Sequence, residues 1–202
     1  GWNDYAGVDM KGKTALILIN DPGFASGDES LFRGRALTYY GRWTYKFEEA
    51  ARQGAAAALI VHETVPAAYG WPTVVNSWAN PQLDMQAGAG RAGRVAIEGW
   101  LTHERAAALL ASAGQDFEAL KKAASTRGFR PVPLPVRATA GVENSLRKSN
   151  SANVIAAIPG SKRPGEYVFY VAHWDHLGRT QGGEGDQTFN GAVDNATGVA
   201  GL

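Results

Sequence analysis

Apolar and polar positions along the chain fall into short blocks with two different periods. Thr14-Ala-Leu-Ile-Leu-Ile19 is a continuous apolar run closed by Asn20-Asp-Pro-Gly23, which predicts a buried strand and then a turn. Trp43, Phe47, Ala50, Ala51 and Gly54 recur at helical spacing, so a helix is expected, with Gly54 as its stop. Residues 55–61, four alanines and then Leu-Ile-Val, read as a second buried strand because Gly54 separates them from that helix. Strand, helix, strand implies a parallel crossover. Residues 24–40 and 69–85 show no clear period and read as loops, the second with packed aromatics. Arg94-Val-Ala-Ile97 predicts another strand. Thr102 is placed to cap a helix with Glu104 in its first turn and Leu109 and Leu110 on its apolar face, and Asp116 to open one more. Pro131-Val-Pro-Leu-Pro135 cannot be a central strand and reads as an edge or a linker. It sets the expected organisation: one domain over residues 1–134 and a second over residues 135–202.

In the second domain, Asn153-Val-Ile-Ala-Ala-Ile158 and Tyr167-Val-Phe-Tyr-Val-Ala172 predict two more strands, the latter buried. The latter delivers His173 and Asp175 at its C-terminal end, on the same side because residues i and i+2 of an extended segment point the same way. Asp194 follows a Gly-rich loop. Ligands of open α/β sheets bind at the carboxyl ends of strands, and a histidine with carboxylates there suggests a metal. Taken alone, a strand-end His beside an Asp is more often just a hydrogen-bonded pair.

Composition narrows the function classes. Of 202 residues, 45% are hydrophobic and 19% charged, as in a globular, soluble protein. A net charge of +1 gives no electrostatic reason to expect nucleic acid or an acidic membrane surface, even with Arg33, Arg35 and Arg42 among aromatics. No apolar run approaches the roughly 18 residues of a membrane span. With no cysteine there is no disulfide, thiolate metal site or Cys nucleophile. Gly88-Ala-Gly90-Arg-Ala-Gly93 satisfies G-x-G-x-x-G but precedes a strand, not a helix, and reads as a loop. His62-Glu63 lacks the second histidine of H-E-x-x-H, since Pro66 occupies that place. His103 reads as a solvated first-turn residue. No G-x-S-x-G elbow supports a serine hydrolase.

His173-Trp-Asp175-His176-Leu-Gly178, followed by Asn190-Gly-Ala-Val-Asp194-Asn195-Ala-Thr-Gly198, resembles the opening of the catalytic domain of the two-zinc exopeptidases of metallopeptidase family 28. The N-terminal pattern, Asp4-Tyr-Ala-Gly-Val-Asp9 with Gly12-Lys13, a strand, a helix with Lys46 and Phe47, and Gly54 before a strand, resembles the protease-associated domain that often accompanies that family. The resemblance implies an α+β accessory domain with a small mixed sheet, then the truncated start of an α/β zinc-exopeptidase domain. It implies two zinc ions, His173 as ligand of one, Asp194 as the bridging carboxylate, and Asp175 as the carboxylate that orients His173. The Asp194–Asn195 peptide bond is expected to be cis, and His176 matches no ligand position. The catalytic Glu and remaining ligands come later in the family's order, past Leu202, so the chain is read as a fragment, inactive by itself. The expected parent is a secreted or periplasmic metallo-aminopeptidase acting on peptides. Alternatives are a carboxypeptidase of the same family or a non-catalytic binding module. The open strand edges are expected to favour self-association.

Overall fold

A computed structural model describes residues 1–84, 86, 93–179 and 184–202. The chain divides into two compact units, Gly1–Asn144 and Ser145–Leu202. Among the described residues no helix is long and apolar enough to cross a membrane.

The first unit is built on three parallel strands, β1 (Thr14–Leu18), β2 (Ala57–His62) and β3 (Ile97–Thr102), in the spatial order β1-β2-β3. Leu16 lies beside Leu59, and Ile60 beside Trp100. With their helices they make the expected α/β fold around a small sheet, whose described strands all run parallel rather than mixed, with one isolated antiparallel bridge between Lys11 and Ala55. Among the described residues of this unit six α-helices accompany the strands: α1 (Gly23–Ser26), α2 (Trp43–Arg52), α3 (Thr64–Ala67), α4 (Trp71–Trp78), α5 (His103–Ser112) and α6 (Phe117–Ala124); the second unit has α7 (Thr197–Gly201).

The alternation along β2 sorts its side chains onto two cores. Ala58 and Ile60 join Phe47 and Ala50 of α2 on one side. Val61 joins Ala106 and Leu110 of α5 and Phe117 of α6 on the other. Such a strand, covered on both faces, reads as a continuous apolar run rather than an alternating one. Ile60 and Val61 are the largest fully buried side chains, each contributing about 1.5–3 kcal/mol by leaving water.

Helix ends follow the expected chemistry. Gly54 closes α2 with φ +80°, and Gly114 follows α5 with φ +72°. Thr102 Oγ1 accepts from the Arg105 amide at 3.3 Å, and Asp116 Oδ1 from the Ala119 amide at 2.7 Å. Leu134, inside the proline-rich segment, packs against the second core.

Two expectations for this unit are corrected. The third strand begins at Ile97, where the predicted one ended. Glu98-Gly99-Trp100 breaks the apolar pattern, but Gly99 is where β3 must pass close to β2: a Cβ there would lie 2.9 Å from Leu59 Cδ2. Residues 69–85 are not all loop, since α4 occupies Trp71–Trp78. Its proline sits in the first turn, where a missing N–H costs nothing, rather than breaking the helix. Trp78 then joins Trp43, Phe47 and Trp100 in an edge-to-face and tilted cluster with centroids 5.8–6.5 Å apart. The G-x-G-x-x-G stretch lies outside the described residues, Gly93 excepted.

In the second unit the two predicted strands do not form. Residues 153–158 and 167–172 have no regular structure, and their apolar side chains face solvent: Val154 is 99% exposed, Ile158 98% and Tyr170 81%. Among the described residues of this unit no strand lies alongside to complete their hydrogen bonds, and apolar strands are stabilised by neighbours rather than by intrinsic preference. Order returns further on. Arg179 and Thr188 form an antiparallel bridge, the Phe189 amide donates to the Gly178 carbonyl at 2.9 Å, and an irregular turn over Ala192–Ala196 leads into α7.

Candidate metal site

His173 follows the exposed apolar stretch directly, and Gly178 after it takes a positive φ of +76°. The bridge between Arg179 and Thr188 brings the returning chain alongside. Gly191, at φ +65°, fills a position with no room for a side chain. A Cβ there would meet the Asp194 carbonyl at 2.9 Å and His176 Cγ at 3.1 Å. The peptide bond between Asp194 and Asn195 is cis, and Asn195 Oδ1 accepts from the Gly198 amide at 3.1 Å at the start of α7.

These turns bring the three residues singled out in the sequence together. His173 Nε2 lies 3.0 Å from Asp194 Oδ1. Its Nδ1 lies 2.9 Å from the Asp175 backbone carbonyl and 3.4 Å from Asp175 Oδ1. The backbone oxygen of Asp175 thus makes the closer contact with the ring, and its carboxylate the longer one. The second oxygen of Asp194 lies 4.0 Å from His176 Nδ1, so Asp194 turns its two oxygens toward two different imidazoles.

The arrangement constrains the ring chemically. A carbonyl oxygen can only accept, so Nδ1 carries the hydrogen. In the neutral ring Nε2 is then a bare lone pair facing a carboxylate oxygen, and two acceptors cannot bond to each other. A proton or a cation must stand between them. As a free ring, His173 answers with a proton: the Asp175 carbonyl first, then the Asp194 and Asp175 carboxylates, raise its pKa above the ordinary histidine value. Its side chain is half exposed and Asp194 more so, which leaves the pair open to an ion from solvent.

Sequence reasoning missed a second cluster, in the first unit. Glu63, immediately after β2, His103 at the start of α5 and Glu118 in the first turn of α6 each place a donor atom within 4.8 Å of the others. His103 was expected to be merely solvated. Its ring packs on Phe117 at 4.5 Å, and Nδ1 lies 3.6 Å from Glu63 Oε1. The signal available in the sequence was only that all three positions lie at the carboxyl end of a strand or at the head of a helix, where parallel sheets place ligands.

Residues 153–202 match the family model of Peptidase family M28. That stretch contains His173, Asp175, His176 and Asp194, and the match marks it as peptidase-like. A search of curated proteins and a search of solved structures each returned no match.

Proposed function

We propose that residues 135–202 belong to the catalytic domain of a zinc-dependent exopeptidase of the aminopeptidase type, and that residues 1–134 form an accessory protease-associated domain beside it. The observation that carries this is the pairing of His173 Nε2 with Asp194 Oδ1, 3.0 Å apart while Nδ1 is held by Asp175. The peptidase match over the same residues supports it.

The residues present fit zinc. An imidazole nitrogen and a carboxylate oxygen are among its ordinary donors. The ring nitrogen opposite the ligand position is hydrogen-bonded, as metal-ligating histidines almost always are, which presets the tautomer with Nε2 free. Asp194, with one oxygen toward His173 and the other toward His176, has the form of a carboxylate shared between two ions. Bound zinc supplies the Lewis acidity that polarises a peptide carbonyl. Everything else here is positioning. Asp175 keeps the His173 ring in orientation, Gly191 lets the returning chain approach His176, and Asn195 ties the Asp194 turn to the head of α7.

Two protein donors are fewer than the three or four of an ordinary zinc site. The 202-residue polypeptide is therefore expected to bind zinc weakly at this place and to release no amino acid from aminoacyl anilides or short peptides. Zinc added to isotope-labelled protein should perturb the His173 ring resonances. Asp194→Asn should abolish that response, and Asp175→Ala should weaken it by less than the roughly 10–100-fold usual on losing an outer partner of a metal-bound histidine, because the backbone carbonyl of residue 175 stays on Nδ1. A His173 ring indifferent to millimolar zinc would overturn the assignment.

A further inference from the structure

We propose that the first unit holds a divalent-metal site of its own, formed by Glu63, His103 and Glu118, with zinc as the best-fitting ion and the Lys121 ammonium as its built-in competitor. The three donors come from three separate pieces of chain that meet near the carboxyl ends of β2 and β3: the residue after β2, the residue after β3, and the first turn of α6. One nitrogen and two carboxylates form a mixed set that suits zinc better than magnesium or calcium, which take oxygen alone.

The geometry lies close to what an ion requires. Glu63 Oε1 and His103 Nδ1 stand 3.6 Å apart, and all three donor atoms fall within 4.8 Å. A zinc about 2.1 Å from each donor would bring them to about 3.4 Å apart, so the exposed Glu118 need move only roughly an ångström. The packing of the His103 ring on Phe117 holds the nitrogen in place, and Glu63 is largely withdrawn from solvent.

A cation already stands at this spot. Lys121, one turn along α6 from Glu118, places its Nζ in contact with Glu63 Oε1. Two carboxylates and one ammonium leave a net negative charge, which an ammonium alone does not balance and a divalent ion would. A separate feature provides access: a cavity of about 630 Å³ opens onto Glu63, His103 and Lys121, walled by Phe24, Val65 and Trp71. It offers an entry path and room for water as the remaining donors.

The exchange is simple to write. The ion enters, the Lys121 ammonium leaves Glu63 for solvent, His103 binds through Nδ1 as the neutral ring, and no bond to carbon is made or broken. Lys121→Met should therefore strengthen binding, whereas a mere salt-bridge cluster would show no such gain.

Cobalt(II) titration of the full chain, followed by its visible absorption and repeated by calorimetry with zinc, tests this. In a His173→Ala background, which removes the peptidase-like pair, one ion should still bind. There, His103→Ala and Glu118→Gln should each weaken binding by at least about tenfold, and Lys121→Met should tighten it. Glu118 is exposed, so Glu118→Gln leaves the fold intact, and the melting temperature of each variant without metal checks this. Binding that disappears with His173→Ala, or that ignores both His103→Ala and Glu118→Gln, overturns the proposal without touching the assignment of His173 and Asp194. Absence of any ion from the His173→Ala protein overturns it as well.

Discussion

Lys46 of α2 turns its ammonium inward and donates to the Asn20 carbonyl at 2.9 Å, just past the end of β1. Burial pulls its pKa down to about 8, against the opposing pull of Asp21 and Asp4. Between that value and the ordinary lysine value of 10.5, the unfolded chain binds more protons than the folded one, so this group makes stability rise with pH. Urea titrations at pH 8 and pH 9.5 should show the rise in the native protein and a flatter response in Lys46→Met. His173 runs the other way. Its raised pKa favours the charged ring in the folded state, so its contribution is complete below the ordinary value of 6.5 and is lost as pH rises through the higher, folded value. An NMR titration should place the His173 midpoint above 6.5, and Asp194→Asn should lower it only in part, because the Asp175 carbonyl is the larger cause. Zinc must displace that proton, so its hold on His173 should strengthen with pH over the same range.

At the scale of elements, β2 is the piece on which the first unit depends. Its residues face a core on each side, and Phe47 of α2 closes one of them. Phe47→Ala should cost about 3–5 kcal/mol in urea unfolding, the usual toll for emptying an aromatic site in a packed core. The first two strands and the helices α2, α5 and α6 were legible in the sequence, because a long apolar run, a helical stripe and a capping residue are local signals. The element α4 was not: Trp71-Pro72 looked like a loop until the rest of the fold supplied Phe47, Trp43 and Trp100 for Trp78 to meet. The start of β3 was missed for the same reason, since Gly99 is useful only against Leu59 of a neighbouring strand. The grouping of His173, Asp175 and Asp194 was legible because two separate short motifs carried it. The cluster of Glu63, His103 and Glu118 was not, because its members are 40 and 15 residues apart and meet only through the parallel register of β2 and β3 and the short link from α5 to α6.

Taken whole, the chain holds two units of unequal order. The first has a sheet with a core on each face. The second has an ordered turn around Asp194 and a long stretch whose apolar residues lie in solvent. Native-state hydrogen exchange should protect amides of β2 and its partner strands most, while those of residues 145–172 exchange at rates close to those of an unstructured peptide. Strong protection over residues 153–158 and 167–172 would show that they have found strand partners, a second copy of the chain among them. The exposed run Tyr167-Val-Phe-Tyr-Val171 has one more consequence. Digestive proteases grip their targets as extended, unpaired chain and cut where the backbone can be lifted into a cleft. Tyr167, Phe169 and Tyr170 offer chymotrypsin three exposed aromatic cleavage points on chain without regular structure. Brief digestion should sever the chain there first and leave the sheet-bearing part whole. A peptidase-like sequence would thus be opened at the stretch that most resembles a substrate.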